Sequence, residues 1–227
     1  MKRVLIDQPG FMGDIIFVMA IAQKYADDGY IVEFPVFGEH IKISIQKYFP
    51  TIKILPTGEC PAYHKYHGDR IIDDGEYLYL PLYASGFISH QHMKYKYEML
   101  GFNYNMWRNI KISRDYDAEK KLFNALELKE GDKYNLINEY HQSTFIKIPI
   151  FVDNGYKNIY MNKIENYSIF DWIGVMEKAQ SIHTIGTALI FIIDALITMP
   201  NDLHIYRRLD KGHDSYDYLL NKTYIYH

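Results

Sequence analysis

RVLIDQPGFMGDIIFVMAIAQKYADDG, residues 3 to 29, is the stretch that decides the fold. Its first five residues, 3–7, form a short β-branched run and read as a buried strand. A turn with two glycines follows, and then a long apolar segment. Ile15, Val18, Met19, Ala22 and Tyr25 or Ala26 fall on one face at helical spacing, which predicts a helix over 13–29 closed by Gly29. A strand, a glycine turn and a helix open a parallel α/β layer. The turn also raises a chemical question, because it delivers an acid, Asp14, to the mouth of the helix. A carboxylate there satisfies amides of the first helical turn. Standing in a crevice, it can also take a proton from a hydroxyl group.

Outward from this unit the alternation continues. YIVEFPV (30–36) reads as a strand, EHIKISIQKYF (39–49) as a helix stopped by Pro50, and TIKILP (51–56) as a third strand. Residues 57–76, rich in Gly, Pro, His and Asp, read as a loop or excursion, with IIDDG (71–75) turning into a strand over 76–83. A helix is predicted over 88–101, a crossing segment over 106–115 and an amphipathic helix over 116–128. A second series follows, with strands at 133–140, 157–161, 181–185, 202–206 and 222–227 and helices at 168–179 and 186–196. Ser168 and Asp171 fit a cap and a first-turn acid. Strand–helix alternation in both series predicts an α/β chain of two Rossmann-like parallel-sheet halves facing a central cleft, with domains 1–120 and 121–227.

Bulk composition narrows the function classes. The chain has 227 residues, 48% hydrophobic and 23% charged, which predicts a packed core rather than disorder. A net charge of −3 gives no general pull toward nucleic acid or anionic membrane. The single cysteine, Cys60, allows no disulfide within the chain. The N-terminal pattern is not that of a signal peptide, since Asp7 breaks a short apolar run. The most apolar window, residues 185–199, carries Asp194 and falls short of the roughly 18 residues of a spanning helix. The expectation is a cytoplasmic protein without a transmembrane segment. The 22 tyrosines do not gather in one motif and read chiefly as strand and surface positions.

The turn at Gly10–Asp14 is neither a dinucleotide fingerprint nor a phosphate loop, and its acid would repel phosphate. It suits a neutral hydroxylated ligand. The turn at His183–Ala188 is its converse. It has no acid, and Gly186, Thr187 and Ala188 put a glycine, a hydroxyl and backbone amides at a helix N-terminus, an arrangement that favours anions. A plain capped helix with Thr187 as cap has the same residues. Glu139 and His141 follow the first strand of the second half, at the same end as this turn. Arg207 follows the strand 202–206 and can hold a diphosphate. Gly13, His92 and Lys96 line up as acceptor-side candidates, His92 and Lys96 sharing one helix face. No carboxylate is spaced to complete a metal site with the histidines, so no metal is expected. Asp115-Tyr-Asp117 reads as helix-start chemistry.

DQPGFMGDIIFVMAIAQKYADDGYIVEF (7–34) and YSIFDWIGVMEKAQSIHTIGTALIFIIDAL (167–196) together resemble the heptosyltransferase-like glycosyltransferases of the GT-B fold, glycosyltransferase family 9. Phe191 or Ile192 stands where that family has a histidine, and the chain is short for two GT-B domains, so the resemblance is to a trimmed, viral-type member. It implies a compact GT-B-like fold. Asp14 would be the catalytic base, and Gly186, Thr187 and Ala188 would lie near the donor phosphates. The implied activity moves a sugar from a nucleotide-sugar co-substrate to a hydroxyl of a glycan or glycoconjugate, with inversion and without a metal or other cofactor. A non-catalytic nucleotide- or sugar-binding module, or a nucleotide hydrolase, is the alternative on the same fold.

Overall fold

The structure is a computed structural model. It describes residues 2–8, 10–83, 91–141, 146–161, 164, 166–198, 202–207 and 219–227, with the side chains of Gln91, His92, His141 and Ile146 excepted. The chain forms two compact units, Met1–Ser113 and Arg114–His227, so the division falls just before the amphipathic helix rather than within it.

The first unit contains β1 (Arg3–Ile6), α1 (Met12–Asp27), β2 (Ile31–Val36), α2 (Glu39–Ile45), β3 (Lys53–Pro56), α3 (Pro61–Lys65), β4 (Ile72–Asp73), β5 (Tyr77–Leu80) and α4 (Gln91–Glu98). Its sheet runs β3-β2-β1-β5-β4, parallel except for β4, which pairs antiparallel with β5. The chain therefore steps outward from β1 through β2 and β3, then crosses back to the other side of β1. That reversal is the topological switch point, where parallel sheets open a crevice at their C-terminal edge.

The reading of α1 needs correction in one respect. Its residues from Ile15 to Ala22 are all buried, not only those on one stripe. The sheet covers one side. On another, the Phe17 ring packs against Tyr97 of α4 and Trp107, the latter in a 3-10 turn over Tyr104–Asn109. The Tyr97 hydroxyl donates to the Phe17 carbonyl. Each fully buried Ile, Val or Phe contributes about 2 kcal/mol relative to exposure, so this helix anchors the unit. The helix predicted over 39–49 is α-helical only to Ile45 and continues as a 3-10 turn. Gln46 is the reason: its amide donates to the Phe49 and Ile52 carbonyls and accepts from the Ile54 amide, drawing the chain into β3. The predicted loop 57–76 contains α3, started by Pro61, and the short β4.

The second unit contains α5 (Tyr116–Ala125), β6 (Tyr134–Asn138), β7 (Tyr140–His141), β8 (Ile146–Lys147), β9 (Lys157–Tyr160), α6 (Ile173–Lys178), β10 (Ser181–Ile185), α7 (Ala188–Leu196), β11 (Asp202–Tyr206) and β12 (Ile225–Tyr226). Its main sheet is wholly parallel in the order β12-β11-β10-β6-β9, and β7 and β8 form a separate antiparallel pair. Counting only these five strands along the chain, the spatial order is 2-1-3-4-5 from the β9 edge, with the switch point between β6 and β10. Asp115 caps α5 by accepting from the Ala118 amide at 2.9 Å, and Ser168 and Asp171 form a reciprocal capping box before α6, as their spacing predicts.

Candidate active site

Beyond β1 the backbone stays extended, and consecutive side chains turn to opposite sides. Asp7 goes toward Tyr79 on β5, and Gln8 goes toward Lys96 on α4. Gln8 is buried, and its amide oxygen accepts from the Lys96 ammonium. The chain then turns through Gly10 and enters α1 at Met12. The N-cap is Phe11, extended, with no side-chain capping bond. Asp14 therefore occupies the third helical position, and the expected role as a cap is not what its carboxylate does. No described amide donates to it. Its charged partner is Lys96, with Nζ at 3.9 Å from Oδ1.

The two members of this pair differ in environment. The Asp14 side chain is 39% exposed, whereas that of Lys96 is 1% exposed. Burial pushes the Lys96 amine down to about 8, opposed by the nearby Asp14 carboxylate. At neutral pH it is mostly an ammonium, and it fixes one side of a carboxylate whose other side meets solvent. Gly10 makes the arrangement possible. A Cβ there would sit 3.0 Å from Asp14 Cβ and Oδ2 and from Gln8 Nε2. Gly13 lies beside Asp14 in the same first turn. The structure thus brings Gly13, Asp14 and Lys96 together. The side chain of His92 lies outside the described residues.

The second candidate site stands at the switch point of the other sheet. Gly186 and Thr187 lead from β10 into α7, whose first residue is Ala188. Thr187 is the N-cap, its hydroxyl oxygen accepting from the Leu189 amide at 3.3 Å. The buried Asn138, the last residue of β6, ties this turn to the neighbouring strand by donating to Thr184 Oγ1 at 2.9 Å and Thr187 Oγ1 at 3.2 Å. β10 and β11 pair Ile185 with Tyr206, so the next residue, the exposed Arg207, stands level with Gly186. A glycine turn, the positive end of a nine-residue helix and a guanidinium at the adjoining strand end form a set suited to a phosphate or diphosphate. Glu139 has a different occupation. Its carboxylate accepts from the Ile150 amide at 2.8 Å and pairs with Lys147 at 3.0 Å, tethering the segment after β8. The side chains of His141 and of residue 208 lie outside the described residues.

Sequence reasoning missed Gln8 and Asn138. Both carry the same signal, a carboxamide at the C-terminal end of an apolar strand run in a parallel sheet. Three histidines also share one face of the second sheet. His183, His204 and His227 stack across β10, β11 and the residue after β12, with ring centroids 4.2 and 5.3 Å apart. Burial and the neighbouring rings push His183 down to about 4, so it is neutral at physiological pH. Stacked rings do not converge on a point. Among the described residues no group of three or more His, Cys, Asp or Glu is placed to hold a metal ion. Nor, among these residues, is any helix long and apolar enough to cross a membrane.

The class defined by the fold is thus an α/β protein of two units, each with a doubly wound, predominantly parallel sheet and a candidate site at its switch point. No protein-family model and no curated protein sequence matches the chain. Among solved structures, it is similar to the crystal structure of the glycosyl transferase family 9 from Veillonella parvula DSM 2008. The TM-score is 0.49 at 10% identity, over 90% of this chain and 80% of that one.

Proposed function

We propose that this chain is a glycosyltransferase that moves a sugar from a nucleotide-sugar to a hydroxyl acceptor. The observation that carries the reading is Asp14, a part-exposed carboxylate at the C-terminal edge of a parallel sheet. It receives no described backbone amide and is held on its inner side by a buried ammonium. The second unit supplies the complementary chemistry, an uncharged turn and a helix N-terminus for phosphate.

In this reading the acceptor oxygen attacks the anomeric carbon while its proton passes to Asp14. The bond from that carbon to the diphosphate oxygen breaks, and the leaving group keeps the electron pair. The transition state has oxocarbenium character. Amides at the start of α7 and the Arg207 guanidinium take up charge developing on the leaving diphosphate. A single direct displacement inverts the anomeric centre, and the reaction proceeds without a metal. The donor is a nucleotide-sugar and the acceptor a glycan or glycoconjugate.

Thermal melting with UDP, GDP, ADP, CDP and TDP, with and without magnesium, tests the donor half. A diphosphate at 100 times its dissociation constant adds about 2.7 kcal/mol of stability. The expected result is a metal-independent rise in Tm for one base. No rise with any of them removes the phosphate site at Gly186–Ala188. With that donor in hand, Asp14→Asn lowers turnover by roughly two or more orders of magnitude, as loss of a general base does, while the nucleotide-induced rise in Tm persists. Near-normal turnover in this variant removes Asp14 as base. Absence of turnover in the unaltered protein, with the nucleotide still bound, leaves a non-catalytic binding module.

A further inference from the structure

A second feature opens at the edge of the first sheet, on the face opposite Lys96. The first sheet's cluster of Leu5, Cys60, Ala62, Tyr66, Tyr77 and Tyr79 ends there in a cavity of about 560 Å³. Its walls are Asp7, Tyr79 and Tyr83 from the strand ends and Tyr63, His64, Tyr66, His67, Gly68 and Asp69 from α3 and the loop after it. We propose that this cavity is a binding pocket for a neutral saccharide.

Size and place agree with a ligand site, since sites of this volume are common at the switch points of parallel sheets. The lining selects the ligand. Asp7 is fixed by the Tyr79 hydroxyl, which donates to Oδ2 at 2.7 Å, while Oδ1 has no partner among the described residues. A carboxylate oxygen so placed accepts from hydroxyl groups. Tyr66 turns its hydroxyl away to Asp74 and stacks its ring on Tyr79, centroids 5.8 Å apart, so it offers ring rather than donor. Tyr83 stands at the wall as an exposed residue, at 57%, but its backbone is pinned, its amide donating to the Asp7 carbonyl at 2.8 Å. An exposed ring on a fixed backbone is a platform for the apolar face of a sugar ring. Among the described residues, two carboxylates and no lysine or arginine line the cavity, so its fixed charge disfavours an anionic sugar.

The inference does not rest on the transferase reading, and its test uses no nucleotide. Saturation-transfer NMR and isothermal titration would be run with glucose, galactose, mannose, rhamnose, N-acetylglucosamine and lactose, with glucuronate and choline as charged controls. The expected result is binding of at least one neutral sugar, weakened about tenfold or more by Asp7→Asn and by Tyr83→Ala, a loss of at least ~1.4 kcal/mol. Tyr83 is exposed, so its variant keeps the test open should Asp7→Asn fail to fold. No binding of any neutral sugar overturns the proposal, as does binding that Tyr83→Ala leaves unchanged. So does tighter binding of choline, which would mark an aromatic cation site. Sugar binding without any nucleotide effect keeps the pocket and removes the transferase, and the converse result does the reverse.

Discussion

Lys96 sits in an environment at odds with its charge. An ammonium 1% exposed has left nearly all its water, and in return it has the Gln8 amide oxygen and, farther off, Asp14. Its amine is held down near 8, against 10.5 when unperturbed. Between these two values the unfolded chain carries a proton that the folded chain does not. The sign follows: the unfolded state binds more protons, so stability rises as pH rises from about 8 to 10.5. The full difference is worth roughly 3 kcal/mol at 1.36 kcal/mol per pH unit. Urea unfolding across this range is expected to show that rise in the unaltered protein and its absence in Lys96→Met. Parallel pH profiles for the two would refute the burial of the charged amine. Gln8, adjacent in sequence to the pocket carboxylate Asp7, is the hinge of the arrangement, because one extended backbone serves two faces.

At the scale of elements, the second unit is clamped by one guanidinium. Arg114 meets Glu119 of α5 at 2.6 and 2.8 Å, and Glu177 of α6 at 2.8 Å through two nitrogens. Gly174 allows it, since a Cβ at that point of α6 would lie 2.7 Å from Glu119 Oε2. A side chain at this point would push the Glu119 carboxylate out of its place against Arg114. Arg114→Met leaves the Glu119 carboxylate, 7% exposed, without its partner. Breaking a buried pair from one side costs about 3–5 kcal/mol. The expected outcome is a loss of that order in urea unfolding, largely recovered when Glu119→Gln is added. A loss below about 1 kcal/mol would class the clamp with exposed ion pairs.

At the scale of the whole molecule, each unit has its own sheet, core and switch point, and the proposed chemistry divides between them. That division is measurable by hydrogen exchange. The nucleoside diphosphate that raises Tm is expected to slow exchange at the first turn of α7 and the ends of β6, β10 and β11. The strands of the first unit are expected to be unaffected. Protection confined to the first unit would reverse the assignment of donor and acceptor chemistry. The parallel order of both sheets underlies the expectation, since helix N-termini and strand C-termini gather at one edge of each.

The sequence by itself determined the local alternation. Period and punctuation placed β1, α1, β2, β3, β6, β10, α7 and β11 within a few residues, because buried parallel strands are continuous apolar runs and glycines mark helix ends. It also marked Asp14 and the Gly186–Ala188 turn, since short motifs at strand–helix junctions survive in one dimension, and Lys96 through the helix face it shares with His92. Tertiary structure decided the rest. The switch points depend on which strands pair, and no local pattern encodes strand order. The pairing of Asp14 with Lys96 joins residues 82 positions apart, and the occupation of Glu139 by Ile150 and Lys147 depends on how the chain after β8 folds back. Residues 57–76 read as an irregular loop because α3 is five residues long and β4 only two, too short to show a period. Their packing against β1 and β5 forms the aromatic pocket, and such a surface exists only once distant segments share a face.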